Sequence, residues 1–191
     1  ISSACEHGNK PPTKLMMTSA AADLPWDHPA PFTLPMTPAA TDIDGLHHTN
    51  NSVYVRWCDS VGWAHSEALG LSLADWQRID RAMAIRRGEY DYLLPSHLGD
   101  ELVLGTWIWG SDGKLVMERR FQLIRPRDRA IVMRGRWQLV CIEMSSGRPR
   151  RLPPEFSSVY LPVMVRSDDA PGDDPSPFAA LAALKKDKGG K

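Results

Sequence analysis

From about Ser52 to Leu69 the apolar residues recur at helical spacing. Val53, Trp57, Val61, Ala64 and Ala68 are separated by 4, 4, 3 and 4 positions, one stripe of a 3.6-residue period. Tyr54, Cys58 and His65 widen that stripe, and Arg56, Asp59, Ser66 and Glu67 occupy much of the remainder. Asn51 or Ser52 is the expected N-cap, and Gly70 the residue just past the end. Gly62 in the interior costs about 1 kcal/mol relative to alanine, so its expected use is close approach of another backbone. At about 1.5 Å per residue this helix is long enough to cross a sheet. Leu71 to Asp80 adds a short helical turn, with Ser72 as cap and Asp75 three residues on.

Elsewhere the pattern alternates with a period of two. Phe32 to Thr37 reads as an edge strand, because Pro35 has no N–H for a central ladder. Ala82 to Leu94 is a strand with Gly88 as its expected bulge, and Glu101 to Trp109 is another. Lys114 to Arg125 follows, with Leu115, Met117, Phe121 and Leu123 on one face. Ala130 to Ile142 turns Ile131, Met133, Trp137, Leu139 and Cys141 inward and Arg134, Arg136 and Gln138 the other way. Ser111-Asp112-Gly113 and Pro126 to Arg129 are the turns between these strands. Long strands joined by short turns make a curved antiparallel meander, with the long helix left to cover one face. The fold class is α+β.

The ends lack such patterns. Residues 1–30 are rich in Pro, Ser, Ala and Gly and read as a disordered or vector-derived leader, with Met16 or Met17 as candidate translation starts. The folded domain is expected over 31–160. Residues 147–155 form a proline-broken basic linker, and 157–165 one more extended or helical piece. The C-terminal extension, 161–191, is expected to be mostly disordered, since few large apolar groups follow residue 166.

Composition narrows the function classes. A chain of 191 residues with 42% apolar residues and seven tryptophans can fill one core. Lys+Arg and Asp+Glu are both 23, which argues against a dedicated nucleic-acid binder. Cys5, Cys58 and Cys141 are an odd count without CxxC spacing and read as reduced thiols of a cytoplasmic protein. No apolar run is long enough for a membrane span, and the apolar core within 14–22 is too short for a signal peptide.

The chemistry concentrates in Asp42-Ile43-Asp44-Gly45-Leu46-His47-His48-Thr49-Asn50-Asn51, just before the long helix. Two carboxylates, two imidazoles and two carboxamides meet the unpaired N–H groups and positive dipole end of a helix. A carboxylate beside such donors can attack or hydrate a carbonyl and hold the oxyanion that results. The N–H groups near Asn51, Ser52 and Val53 are the expected oxyanion donors. Asp44 also fits a plain Asx turn, and His48 either orients the loop or is simply hydrogen-bonded within it. Capping explains one of Asn50 and Asn51, leaving the other to hold the loop or a carbonyl. Tyr54 and Trp57, one turn in, are core or pocket wall. Four possible ligands lie within seven residues, but without HExxH or Cys/His spacing no metal is expected.

Strand, D-x-D-G-x-x-H-x-N-N, long helix and four long strands together resemble the hotdog-fold acyl-CoA thioesterases of the 4-hydroxybenzoyl-CoA thioesterase type. Tyr92-Leu93-Leu94-Pro95 followed by Gly99-Asp100 is similar to the same family's strand end and Gly-Asp turn. The resemblance implies a curved antiparallel sheet wrapped around one long central helix, and hydrolysis of an acyl-CoA to a free acid and coenzyme A. It implies no cofactor beyond the coenzyme A of the substrate. It places the catalytic carboxylate at Asp44, with His48, Asn50 and Asn51 beside it. It also implies a homodimer or homotetramer with each site between chains. Ser52, Val53, Tyr54 and Trp57 are then substrate-contact candidates. Arg86, Arg87, Arg125, Arg127, Arg129 and the 148–151 run are candidates for the coenzyme A phosphates, or else solvated charge at strand ends. A carrier-protein thioester, or acyl-ligand binding without hydrolysis, are the alternatives on the same fold. Leu46 stands where plant-type acyl carrier protein thioesterases have Asn, which argues against carrying their mechanism over.

Overall fold

The computed structural model describes residues 23–165. Its elements are β1 (Phe32–Met36), a 3-10 turn (Ala40–Asp42), α1 (Asn51–Ala68), α2 (Leu73–Arg78), β2 (Arg81–Tyr92), β3 (Leu102–Ser111), β4 (Val116–Arg125), β5 (Ala130–Glu143) and α3 (Pro154–Tyr160), followed by a second 3-10 turn (Leu161–Val163). The strands form one antiparallel sheet in the order β1-β3-β4-β5-β2. Proline-bearing β1 is at one edge, as its missing N–H requires. The Cys5 assignment and most of the two terminal segments lie outside the described residues.

α1 crosses one face of the sheet. Val53, Tyr54, Trp57, Cys58 and Val61 form its buried stripe, packed with Leu104 and Ile108 of β3, Met117, Phe121 and Leu123 of β4, and Met133, Trp137, Leu139 and Cys141 of β5. A Cβ on Gly62 would lie 3.8 Å from the Trp137 ring and 3.9 Å from Arg119, so it is side chains, not a backbone, that approach this glycine. Burial pushes the Cys58 thiol well above its usual range and Cys141 up to about 11, so neither is nucleophilic at neutral pH. α2 carries the expected capping box: Ser72 Oγ accepts from Asp75 N–H at 3.2 Å, and Asp75 Oδ2 accepts from Ser72 N–H at 3.0 Å. α3 docks Phe156 and Tyr160 into the same core, so the 157–165 piece is helical to Val163 and then bridges to Ile108 at Met164.

Two registers depart from the sequence reading. The bulge in β2 falls at Arg86, where pairing with β5 skips a residue, and not at Gly88. Gly88 remains in register, and a Cβ there would press on Trp137 and the Tyr90 hydroxyl at 3.2–3.3 Å. In β5 the pairing shifts between Met133 and Ile131, so Val132 is the extra residue. Val132 is buried and Ile131 only half-buried, which reverses the expected phase at that end. The Val132 carbonyl accepts from Leu93 N–H at 2.9 Å and Leu94 N–H at 3.2 Å, fixing the chain as it leaves β2.

The second face of the sheet is also covered. Residues 23–30, placed in the leader by composition, lie across it. Asp27 N–H donates to Gln122 Oε1 at 2.8 Å, and Gln122 Nε2 donates to the Pro25 carbonyl at 3.0 Å. Trp107 Nε1 donates to the Pro29 carbonyl at 2.8 Å, and Asp27 clamps Arg134 at 2.6 and 2.9 Å. The Trp26 ring sits where a Gly105 Cβ would be, 2.7 Å away, so only glycine admits it. This cover explains why β4 is buried on both faces.

Under α1, Arg119 Nη1 donates to His65 Nδ1 at 3.1 Å. Arginine only donates, so the neutral imidazole keeps its proton on Nε2. Burial, then the nearby Arg119 charge, pulls His65 down to about 3 from its usual 6.5. Below pH 6.5 the unfolded chain therefore takes up a proton that the folded chain refuses. The stability from this group is full above pH 6.5 and falls as the pH drops toward 3. Urea unfolding at pH 7 and pH 5 is expected to show a loss of about 2 kcal/mol that is absent in His65→Gln.

Candidate active site

The loop before α1 is shaped by its own polar groups. Asp42 Oδ2 accepts from Ala39 N–H at 3.0 Å, and the Asp42 carbonyl accepts from Asn50 N–H at 2.9 Å. The Asp42 carboxylate also pairs with Arg56 of α1. Asp42 thus ties the start of the loop to its end and to the helix. Between these ties the chain reverses: Asp44 N–H donates to the His48 carbonyl at 2.8 Å, and His47 N–H to the Asp44 carbonyl at 3.0 Å. His47 sits at φ 62°, the left-handed conformation that tightens the reversal.

Asp44 has two roles available, one per oxygen. Oδ1 accepts from Leu46 N–H at 2.8 Å and His48 N–H at 3.3 Å, an Asx turn. Oδ2 takes no partner among the described residues. The His48 ring does not hold this carboxylate; it stands edge-on to His97 with centroids 5.2 Å apart. His48 positions Asp44 through its backbone.

The helix cap is Asn50, one residue before the expected pair. Its Oδ1 accepts from Ser52 N–H at 2.9 Å and the Ser52 hydroxyl at 2.7 Å. Its carbonyl accepts from Val53 N–H at 2.9 Å. Two of the three expected oxyanion donors are therefore consumed. Asn51 N–H is left without an acceptor among the described residues, at the positive end of α1. Asn50→Ala is expected to lower stability by about 1 kcal/mol, and Asn50→Asp to recover most of it, as read by thermal unfolding.

A second loop forms the opposite wall. Thr49 N–H donates to the Ser96 carbonyl at 2.8 Å, the Thr49 and Ser96 hydroxyls are 2.7 Å apart, and Tyr54 Oη lies 2.9 Å from Ser96 Oγ. These buried bonds hold a cleft of about 370 Å³ open between the loops. Asp44, His48, Asn50, Asn51 and Tyr54 line one side, and Tyr92, Leu93 and Leu94 the other. Leu46 at the rim is 74% exposed, and Leu93 and Leu94 are also exposed, so the entrance is apolar.

The remaining candidates lie elsewhere. Val53 and Trp57 belong to the core. Arg125 is held by Asp128 at 2.9–3.1 Å and donates to the Pro95 carbonyl at 3.1 Å; the Asp128 hydrogen bonds raise its pKa further. Arg127 pairs with buried Asp100 at 2.9 Å, and Asp100 Oδ2 accepts from His97 N–H at 3.0 Å. Arg125 and Arg127 thus brace the second loop from behind and do not line the cleft. Arg86 is exposed at the β2 bulge. Among the described residues no three His, Cys, Asp or Glu side chains come together as metal ligands. Composition and spacing did not single out Thr49 and Ser96. Their bond links positions 47 residues apart; Thr49 lies within the motif stretch but at a position the motif does not specify, and Ser96 lies outside it.

The arrangement offers one free carboxylate oxygen and one helix-terminal N–H at an apolar mouth. That pair can add to a carbonyl, or activate water toward it, and stabilise the resulting oxyanion.

Comparison with known proteins bears on the same stretch. The model of the thioesterase-like superfamily matches residues 38–159. A 1,4-dihydroxy-2-naphthoyl-CoA thioesterase from Synechocystis superposes with a TM-score of 0.63 at 18% identity, over 69% of this chain and 96% of that one. A hypothetical protein from Staphylococcus aureus, solved in complex with CoA, gives 0.66 at 19% identity, over 77% and 90%. A probable thioesterase from Escherichia coli gives 0.60 at 18% identity, over 71% and 99%. At these identities the likeness establishes the fold. The search of curated proteins found no match.

Proposed function

Since the chain belongs to the thioesterase-like superfamily and has its hotdog fold, we propose that it hydrolyses an acyl-CoA thioester to a free acid and coenzyme A in the cleft before α1. The observation that carries this reading is Asp44, whose Oδ2 is unpaired in the cleft among the described residues while Oδ1 fixes its orientation.

The substrate carbonyl oxygen takes the Asn51 N–H, and the acyl group leaves through the apolar rim of Leu46, Leu93 and Leu94. With Asp44 as base, a water oxygen bonds to the carbonyl carbon and its proton goes to Oδ2. The tetrahedral oxyanion collapses, the C–S bond breaks, and the proton passes to the departing sulfur. With Asp44 as nucleophile, Oδ2 bonds to the carbon, the thiolate leaves, and water then cleaves the anhydride. Loss of one oxyanion donor at such sites costs about 3 kcal/mol in the barrier, so a single N–H suffices for a large effect. The CoA complex of the Staphylococcus aureus protein, on the same fold, supports coenzyme A as the carrier.

The reading extends to assembly. The outer edge of β2 pairs with no strand among the described residues over its twelve positions, and Ile85 and Tyr92 beside it are exposed. An unpaired edge of that length is a template for a second copy. Light scattering is expected to give a multiple of the 21.3 kDa chain mass.

The primary test is free thiol release from short, long and aromatic acyl-CoA esters. Saturable release from at least one ester is expected. Tight binding of every ester without release would instead make this a binding module, and release confined to carrier-protein esters would change the carrier.

A further inference from the structure

Arg119 sits mid-strand in β4 beneath α1 and is 3% exposed. Among the described residues it has no carboxylate partner. Its Nη1 donates to His65 Nδ1 at 3.1 Å and Thr106 Oγ1 at 3.3 Å, both neutral groups. Its Nε and Nη2 donors take no partner among the described residues. Burial draws the guanidinium down to about 10, a measure of how little compensates it. Buried charges in proteins are ordinarily paired, because leaving water uncompensated is costly.

The guanidinium borders a cavity of about 80 Å³ between α1 and the sheet. Trp63, Trp76, Trp137 and Met117 contribute apolar walls, and Gly62 leaves the space clear on the helix side. The ring of Trp76 packs against this space, with its buried Nε1 without an acceptor among the described residues. Tyr160, the phenol at the cavity edge, is already engaged with Ser66 at 2.8 Å. Asp59, on the cavity rim, makes no ion pair with Arg119. Unfilled donors of a guanidinium, set among aromatic walls, complement an anion with an apolar stem.

We propose that this cavity is a binding site for a small carboxylate with a stem of one or two carbons, with Arg119 as its counter-charge. Gly62 lies eleven residues along α1 from Asn51, roughly 16 Å at 1.5 Å per residue, so the site is separate from the cleft and stands independently of the thioesterase reading.

The test titrates the full chain with acetate and propionate, and with acetamide and propionamide as neutral matches, following tryptophan fluorescence and the melting temperature. The acids are expected to saturate the fluorescence change and raise the melting temperature, with the amides at least tenfold weaker. Arg119→Met, which removes the buried charge at similar volume, is expected to weaken acid binding at least tenfold. Gly62→Leu keeps Arg119 and fills the cavity from the helix side, and is expected to abolish binding. Equal binding of acids and amides, no saturable binding of either acid, or undiminished acid binding in a folded Arg119→Met or Gly62→Leu would each overturn the proposal.

Discussion

Asp44→Asn is expected to release thiol from the preferred acyl-CoA about a thousandfold more slowly than the unsubstituted protein, with an unchanged melting temperature. The two halves of this result have separate causes. The asparagine carbonyl oxygen can replace Oδ1 as acceptor for the Leu46 and His48 N–H groups, so the turn survives. The carboxamide nitrogen that replaces Oδ2 has no basicity and is no nucleophile. Removing a general base typically costs a hundredfold to ten-thousandfold. Steady-state thiol release, with circular dichroism and melting on the same samples, reads both halves. Near-normal turnover would remove Asp44 from the chemistry and leave it as a turn residue only. A parallel loss of turnover and melting temperature would mean that the turn, not the oxygen, was the casualty.

The largest stability effect is expected at Phe156→Ala, about 4 kcal/mol by urea unfolding. Phe156 is fully buried, 5.0 Å from the Trp76 ring centroid and 5.8 Å from that of Tyr160. With Tyr160 it joins α3 to the core, and the ring is too large for its neighbours to close over the void. Set against a usual total of about 5–15 kcal/mol, the change brings the domain near its threshold. Leu161→Ala, at a residue 37% exposed just beyond α3, is expected to cost less than about 1 kcal/mol and serves as the contrast. A Phe156→Ala loss no greater than that of Leu161→Ala would mean that α3 does not contribute to the core.

The periodic parts of this chain were legible because periodicity has one dominant cause. The α1 stripe and the alternation in β5 reflect which face is buried, and burial is what composition encodes. Trp26 escaped that logic. It contributes a single large side chain from a segment with no period, admitted by Gly105 far along the chain. The bulges at Arg86 and Val132 escaped as well, since a one-residue slip is set by partner strands and not by the bulged residue itself.

The candidate site was legible to the level of the loop. D-x-D-G before a helix announces a turn with spare acceptors, and Asp44 keeps one. The cap came out one residue early because Asn50, Asn51 and Ser52 are all good capping types, and Asn50 takes the role through its bonds to Ser52. Arginines are hard to assign from the sequence because a cation after a strand can equally serve the backbone of its own loop, as Arg125 does at Pro95.

The Thr49–Ser96 bond carries a kinetic consequence. The β3–β4 and β4–β5 hairpins close over short turns, so their contacts are local and early in any folding sequence. The cleft depends on joining positions 47 residues apart, after α1 and β2 have found their places. Closing so long a loop carries an entropy cost that only the assembled sheet offsets. Refolding chains should therefore recover their sheet signal before their capacity to bind acyl-CoA, and a mild denaturant should silence the cleft while most amide protons of β4 still resist exchange.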